Sequence, residues 1–127
     1  MPYKISIQVN EHKFSGELND TKTAKRVYEA LPFEARGNTW GDEIYFEIPV
    51  SAGLEKDARE VVQKGDLGYW PTGEAFCIFY GLTPASKSED EIRPASAVNV
   101  IGRIHEDVEI LKGTSGPIKV KVEKENN

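Results

Sequence analysis

The amino-acid sequence predicts a mostly-β protein, a closed antiparallel β-barrel of about eight short strands with one or two helices. Segments in which apolar and polar residues alternate recur along its 127 residues, and turn-forming residues separate them. Closure is favoured because it removes the exposed sheet edges that would otherwise pair with other chains. A chain of this length is expected to form one domain, residues 1–127, around a single core.

The first two strands are predicted to form a hairpin. Residues 3–9, YKISIQV, place every second residue on an apolar face. Residues 12–18, HKFSGEL, repeat the pattern with Phe14 and Leu18 on the inner side. The short connection between the two segments is typical of a hairpin loop.

The next segment predicts a helix, which either Asp20 or Thr21 can cap. Its apolar residues recur at the spacing of one helical face, at Ala24, Val27, Tyr28 and Leu31. Pro32 ends the helix, because proline disfavours helical geometry in the residue before it. A single apolar stripe is typical of a short helix that packs against a sheet or barrel.

Strand patterns return after the helix. In residues 42–50, DEIYFEIPV, alternation separates an apolar face from a face that carries Glu43 and Tyr45. Residues 54–65 fit a helix and a strand, and both alternatives stay open.

A second hairpin is predicted where DLGYWP and EAFCIFYG flank the Thr-Gly turn at 72–73. Three further strands are predicted at residues 95–104 (ASAVNVIGRI), 108–113 (VEILKG) and 116–123 (GPIKVKVE). The last of them is a candidate edge strand, although its lysines oppose pairing with another chain.

Composition argues against several classes of function. The net charge of −5 and the pI of about 5.1 argue against nucleic acid as a partner, because phosphate binding requires a clustered basic surface. Cys77 is the single cysteine, so no intrachain disulfide can form. No segment approaches the ~18 apolar residues of a membrane span, and the N-terminus lacks the apolar region of a signal peptide. A cytoplasmic protein with no membrane partner is expected.

Motifs for catalysis and metal binding are sparse. The sequence contains no GxSxG, HExxH, P-loop or GxGxxG motif. His105 lies among acidic residues in RIHEDVE, but neighbouring strand residues point to opposite faces and no second histidine lies at helical spacing. The sequence therefore predicts no metal site, and no cofactor is predicted. Cys77 has apolar neighbours and no nearby cation, and a packed, inert thiol is expected.

Asp42 and Glu43 form a carboxylate pair at the start of a strand, directly after Trp40 and Gly41. If one carboxylate is desolvated, it can serve as a general base. If both are exposed, they only solvate the start of the strand. The sequence leaves both alternatives open.

Two blocks of sequence resemble a known family. TWGDEIYFEIP (39–49) and GDLGYWPTGEAFCIFYGLTPAS (65–86) are similar to the signature of small prokaryotic cyclophilin-like domain proteins, and NVIGRI (99–104) fits the same pattern. The resemblance extends from about Phe14 to Ile104. It implies a closed barrel with the topology of cyclophilin, capped by helix. It implies little about function, because members of that family are largely uncharacterised.

The resemblance to true cyclophilins is mainly one of layout. Their prolyl-isomerase site depends on an arginine on the third strand, surrounded by a glutamine, a phenylalanine, a tryptophan and a histidine. The comparable strand here carries Glu43 and Tyr45 and no arginine, and Ala75 stands near the position of the glutamine. An arginine polarises the prolyl amide and a glutamate would do the reverse, so prolyl isomerisation by that mechanism is not favoured.

Strand parity divides the aromatic residues of the second hairpin. One face has the bulk of a barrel interior and carries Leu67, Tyr69, Phe76, Ile78 and Tyr80. Trp70 and Phe79 fall on the opposite face beside two small residues, which leaves a shallow hollow. Alternatively, the helix or the loop at 82–86 covers both rings as a small second core.

The residues predicted to bind a ligand border this hollow. They are Glu43, Tyr45, Trp70, Phe79 and Thr83, and Ser86 offers a second hydroxyl. The resemblance to cyclophilins implies that a peptide binds on this outer face. An aromatic wall with one carboxylate suits an amine, a basic peptide or a proline-containing segment.

These features predict a binding domain for a small molecule or a peptide, as a monomer or a weak homodimer. One alternative is a hydrolase or isomerase that uses Glu43 or Asp42 as a general base in the same hollow. The others are a residual prolyl isomerase and a structural role through dimerisation at a barrel edge.

Overall fold

The computed structural model describes residues 3–88 and 90–125, and within them eight antiparallel strands close into a barrel on which one α-helix packs. The predicted fold class is therefore confirmed. The strands are β1 (Tyr3–Val9), β2 (His12–Leu18), β3 (Phe33–Thr39), β4 (Glu43–Glu47), β5 (Asp66–Trp70), β6 (Ala75–Phe79), β7 (Asn99–Ile104) and β8 (Ile118–Lys124); the helix is α1 (Lys22–Ala30), and short 3-10 helices lie at Pro71–Gly73 and Glu109–Gly113.

The last strand closes the barrel. Around the barrel the strands follow the order β1-β2-β7-β5-β6-β4-β3-β8, and β8 pairs antiparallel with both β1 and β3. Val120, for example, lies opposite Val9 on β1 and opposite Ala35 on β3. The prediction of an edge strand at residues 116–123 is therefore wrong, because β8 has a hydrogen-bonded neighbour on each side. Dimerisation through that edge loses its basis.

Alternation along the strands separates an inner face from an outer face. In the interior, Phe46 on β4 stacks on Phe76 on β6 with the ring centroids 5.2 Å apart. Tyr69 is fully buried, and its hydroxyl donates a hydrogen bond to the carbonyl of Val50. The inward residues predicted from alternation are buried here, among them Ile5, Ile7, Phe14, Leu18, Ile44, Ile48, Leu67, Ile78, Tyr80, Ile118, Val120 and Val122.

The capping residues explain both ends of α1. Of the two candidate caps, Thr21 accepts a hydrogen bond from the backbone N–H of Ala24 through its side chain. At the other end Leu31 is extended ahead of Pro32, as expected for a residue before proline. The helix lies against β2 and β7 and buries Ala24 and Val27 of its predicted apolar stripe.

Alternation predicts a strand at residues 108–113, and that prediction is wrong because Glu109–Gly113 forms a 3-10 helix. Burial here follows a three-residue spacing, because Val108 and Leu111 are buried while Ile110 is exposed. A three-residue spacing matches the 3-10 helix, in which side chains at i and i+3 eclipse each other.

The segment 54–65 forms neither of the two elements that its sequence leaves open. It instead makes single antiparallel bridges with a later segment, residues 92–98, which we name the strap. The bridges join Arg59 to Val98 and Val62 to Ile92.

A second, smaller apolar cluster lies on the outer face of the sheet, and we name it the outer core. It combines outward-facing residues of β6 with residues of the strap and of the segment that bridges to it. Its members are Val62, Ala75, Cys77, Phe79, Ile92 and Val98. The side chains of Tyr45 and Trp70 are partly buried against it.

We expect Gly102→Ala to destabilise the barrel strongly. Gly102 pairs with Leu18 on β2 and with Leu67 on β5, and a Cβ there would lie 2.0 Å from the carbonyl oxygen of Glu17. Because that atom belongs to the backbone, the β2–β7 seam must shift, which costs about 3 kcal/mol of unfolding free energy or more. Urea unfolding measures the loss.

Gly113→Ala is the matched control, because a Cβ there meets no atom within 4 Å. It is expected to change the free energy of unfolding by less than about 0.5 kcal/mol. Equal stability of the two variants would contradict the close approach of β2 and β7.

Candidate functional site

A pocket of about 160 Å³ opens on the outer face of the barrel, beside the outer core. Three aromatic side chains, one carboxylate and part of the strap line it, namely Trp40, Glu43, Tyr45, Trp70, Pro94, Ala95 and Val98. Both tryptophans of the chain are among them. The volume is close to that of apolar cavities of about 150 Å³ that hold a benzene molecule.

The turn between β3 and β4 positions Trp40 and Glu43. The backbone N–H of Trp40 donates to the carbonyl of Glu43 at 2.9 Å and closes the turn. Gly41 has a φ of 61°, and a Cβ there would lie 2.8 Å from the carbonyl oxygen of Leu82, so conformation and space both require glycine. The backbone N–H of Asp42 donates to the carbonyl of Leu82 at 2.8 Å. The turn is thereby held against the loop that follows β6.

Trp70 connects the barrel to the strap. It is the last residue of β5, and its indole N–H donates a hydrogen bond to the hydroxyl of Ser96 at 2.6 Å. The strap then supplies the apolar part of the pocket wall through Pro94, Ala95 and Val98. The backbone bridge between Val98 and Arg59 holds the end of the strap in place.

Glu43 supplies the carboxylate of the pocket wall. The residue is 6% exposed, lies opposite Phe79 on β6, and shares the outer face of β4 with Tyr45. Burial raises the pKa of Glu43 from 4.5 to about 7, because desolvation disfavours the charged form. A hydrogen bond with the Cys77 thiol acts in the opposite direction and is the smaller effect. This carboxylate therefore changes its charge near neutral pH.

The Cys77 thiol and the Tyr80 phenol, which both interact electrostatically with Glu43, stay neutral around that pH. Burial, followed by the charge of Glu43, raises the pKa of the Cys77 thiol well above its usual range. Burial, followed by the charges of Asp42 and Glu43, raises the pKa of Tyr80 to about 12. Cys77 is buried in the outer core, in agreement with the expectation of a packed thiol.

Three of the five predicted ligand-binding residues, Glu43, Tyr45 and Trp70, lie together in the pocket wall. Phe79 does not line the pocket, because its ring is fully buried in the outer core. Thr83 is also absent from the lining, since it is buried and its hydroxyl donates to the carbonyl of Arg93. Ligand contact by any of the five stays a prediction.

The cover over Phe79 differs from both covers that the sequence suggests. Neither α1 nor the loop at 82–86 contributes to the outer core among the described residues; the strap and Val62 do. Thr83 helps to hold this cover in place, because its hydroxyl forms a hydrogen bond with the carbonyl of Arg93 in the strap. The hydroxyl of Ser86 also links this loop to the strap, because it accepts hydrogen bonds from the backbone N–H groups of Thr83 and Arg93, each at 3.0 Å.

Sequence reasoning does not identify Trp40 or the strap residues as part of the site. Trp40 has a detectable signal, because it precedes a glycine at the turn into β4 and is one of two tryptophans. Pro94, Ala95 and Val98 carry no such signal. They reach the pocket through the strap, whose position depends on bridges to residues 59–62.

The acidic segment around His105 does not form a metal site. Within residues 3–88 and 90–125, no group of three or more His, Cys, Asp or Glu side chains lies close enough to hold a metal ion. His105 instead lies beside Glu17, with its Nε2 atom 3.3 Å from a carboxylate oxygen.

Within the described residues, no helix has the length and apolar character needed to cross a membrane.

Comparison with known families gives one clear match. The model of the family described as Cyclophilin-like matches residues 3–123. No curated protein matches the sequence.

Comparison with solved structures supports the same architecture. The hypothetical protein AF2241 from Archaeoglobus fulgidus, solved in solution, is 41% identical with a TM-score of 0.80, over 98% of this chain and 95% of that protein. McbB, solved in complex with tryptophan, is 14% identical with a TM-score of 0.69, over 97% of this chain and 45% of McbB. At that identity the likeness to McbB shows the fold alone.

We expect Glu43→Gln to change how stability depends on pH. The raised pKa means that folded Glu43 holds its proton more tightly than the unfolded chain does. Protonated Glu43 therefore contributes to the free energy of unfolding, and this contribution is fully present below about pH 4.5. It is lost as the pH rises through about 7, and the loss amounts to roughly 3 kcal/mol. Relative to the variant, the wild-type protein is therefore expected to lose that unfolding free energy across this range.

Urea unfolding at a series of pH values measures the difference. Glu47→Gln is the matched control, because Glu47 is an exposed carboxylate on the same face of β4. Its profile is expected to run parallel to that of the wild type. A parallel profile for Glu43→Gln as well would show that Glu43 is not desolvated.

Proposed function

The chain belongs to the cyclophilin-like family, and we propose that it is a binding domain that takes a small molecule or a short peptide segment in the aromatic pocket. The composition of the pocket wall supports this proposal. Two indole rings, one phenol ring and the apolar strap surround a single carboxylate. Ligand sites typically combine such an apolar and aromatic lining with a small number of polar groups.

The size of the pocket indicates how a ligand would bind. Pockets that enclose drug-sized ligands measure about 300–1,000 Å³, and this one measures about 160 Å³. It therefore suits one head group or one side chain, with the rest of the ligand outside. Both a small molecule and a peptide meet this condition.

The structural neighbour McbB gives limited support. The matched part of McbB, 45% of its chain, has the same fold, and McbB has been solved in complex with tryptophan. The pocket of the present chain, rather than this likeness, is the basis of the proposal.

A second candidate function is a hydrolase or isomerase in the same pocket, with Glu43 as the general base. A general base is most effective when its pKa lies near the working pH, and burial raises the pKa of Glu43 to about 7. Asp42, the other carboxylate of the pair, does not line the pocket. Loss of a pH-dependent activity in Glu43→Gln would favour this candidate over a binding domain.

Prolyl isomerisation has no such support. Among the described residues that line the pocket there is no arginine or lysine to polarise a prolyl amide. A cytoplasmic location and a monomeric or weakly dimeric state stay predictions from the sequence.

Trp70→Ala is expected to lower the affinity of pocket ligands at least about tenfold, because it removes one ring of the wall together with the bond to Ser96. Simple amines, aromatic amino acids and Xaa-Pro dipeptides serve as probes for isotope-labelled protein. Binding is detected by NMR as shifts of the indole N–H signals, which report on the pocket because both tryptophans line it.

Leu54→Ala is the matched control for that experiment. Leu54 is 57% exposed and does not line the pocket, so its variant is expected to bind each probe as the wild type does. Circular dichroism establishes that both variants stay folded. Unchanged affinity in folded Trp70→Ala would overturn the proposed binding site.

The protein is expected not to accelerate cis–trans isomerisation of an Xaa-Pro tetrapeptide above the uncatalysed rate. The physical reason is the missing basic side chain in the pocket, since Glu43 would repel electron density at the prolyl amide oxygen. A protease-coupled or NMR exchange assay measures the rate. Acceleration that disappears in Trp70→Ala would contradict this expectation.

A further inference from the structure

We infer that the pocket selects ligands that carry an organic ammonium group, with Glu43 as its counter-ion and the two indoles and Tyr45 as its aromatic cage. This inference rests on the proposed function of the pocket and adds the chemical class of the ligand. It follows from charge, from ring chemistry and from the confinement of the carboxylate.

The charge of the pocket wall is one-sided. Among the described residues that line the pocket, Glu43 is the single acidic side chain, and none of them is a lysine, an arginine or a histidine. An anionic ligand would face this carboxylate without a basic partner. A cation gains an ion pair in a partly desolvated setting, where the attraction exceeds that between exposed charges.

The three aromatic side chains favour the same ligand. The face of an indole or phenol ring carries negative electrostatic potential and attracts cations, most strongly in tryptophan. Two tryptophans and one tyrosine line this pocket together. Aromatic cages of this composition recognise methylated ammonium groups, whose methyl groups also bury apolar surface.

The remaining wall is apolar and leaves the carboxylate as the polar anchor. Pro94, Ala95 and Val98 offer no charge, and the one nearby hydroxyl of the strap, Ser96, already accepts the indole N–H of Trp70. A pocket of about 160 Å³ accommodates a compact head group such as a trimethylated ammonium. Ligand specificity therefore depends on the charge of that head group.

The ionisation of Glu43 adds a pH dependence to this recognition. Its titratable neighbours are Cys77 on β6, Tyr80 after β6, Tyr45 on the same face of β4, and Asp42 before it. The strap side of the pocket contributes no titratable group among the described lining residues. Because Glu43 has a pKa of about 7, the pocket loses its negative charge as the pH falls below neutrality.

Choline and its uncharged carbon analogue 3,3-dimethylbutan-1-ol are the probes that test the inference. The two molecules have nearly the same shape, and choline carries a permanent charge, so any pH dependence originates in the protein. Binding is followed through the two indole N–H signals. At about pH 8.5 we expect choline to bind at least tenfold more tightly than the alcohol.

From about pH 8.5 to about pH 5.5 the dissociation constant for choline is expected to rise by up to about 30-fold, because the ionised fraction of Glu43 falls by that factor while the aromatic rings keep their share of the binding. Glu43→Gln should keep only the preference for choline that the aromatic rings provide, so its ratio of affinities for the two probes falls below that of the wild type, and it should show no pH dependence. Glu47→Gln, which alters an exposed carboxylate outside the pocket, should behave as the wild type.

Equal binding of choline and the alcohol would overturn the ammonium inference and leave the binding pocket in place. The inference is overturned in the same way if the uncharged alcohol shifts the indole signals and choline does not. If no probe of either set binds, the proposed function fails and the inference fails with it.

A peptide that carries trimethyllysine separates two sources of the same head group. Tighter binding of the peptide than of choline assigns a protein side chain, and equal or weaker binding assigns a free small molecule. Either result supports the inference, provided that the uncharged alcohol binds more weakly than choline.

Discussion

The candidate site depends on one constraint, the alternation of side chains along the strands of a closed sheet. The barrel interior takes one face of each strand, and that face is filled by the inner core. The other face of β6 is also apolar, with Ala75, Cys77 and Phe79, and must be covered from outside the barrel. The strap and Val62 supply that cover. The pocket is the space between the strap and the turn that holds Trp40.

The cover and the electrostatics of the site are therefore linked. Glu43 lies on the same outer face as Phe79, directly opposite it in the β4–β6 register. The apolar surroundings that stabilise the outer core also withdraw the carboxylate from water and raise its pKa to about 7. A structural requirement of the barrel, the burial of its second apolar face, thus creates a carboxylate with altered chemistry beside two indoles.

The parts of the molecule that depend on local pattern follow from the sequence. Alternation identifies Leu67, Tyr69, Phe76 and Ile78 as interior and Trp70 as exterior, and it predicts the barrel class. The cover of the outer face does not follow, because it depends on pairing between distant residues such as Arg59 and Val98. For the same reason Phe79 is predicted at the site and lies beneath the strap. Trp40 is missed although it lies in a local turn, between β3 and β4. The 3-10 helix at 109–113 departs from alternation because its burial repeats every three residues.

A desolvated carboxylate and both indoles share one pocket. An NMR titration that follows the side-chain carboxyl carbon of Glu43 and the two indole N–H signals in one sample tests it most directly. We expect all three signals to titrate together with a midpoint at a pH of about 7. A midpoint near 4.5 for Glu43 would show that the carboxylate is solvated, and indole signals that do not respond to its ionisation would show that it lies apart from the tryptophans.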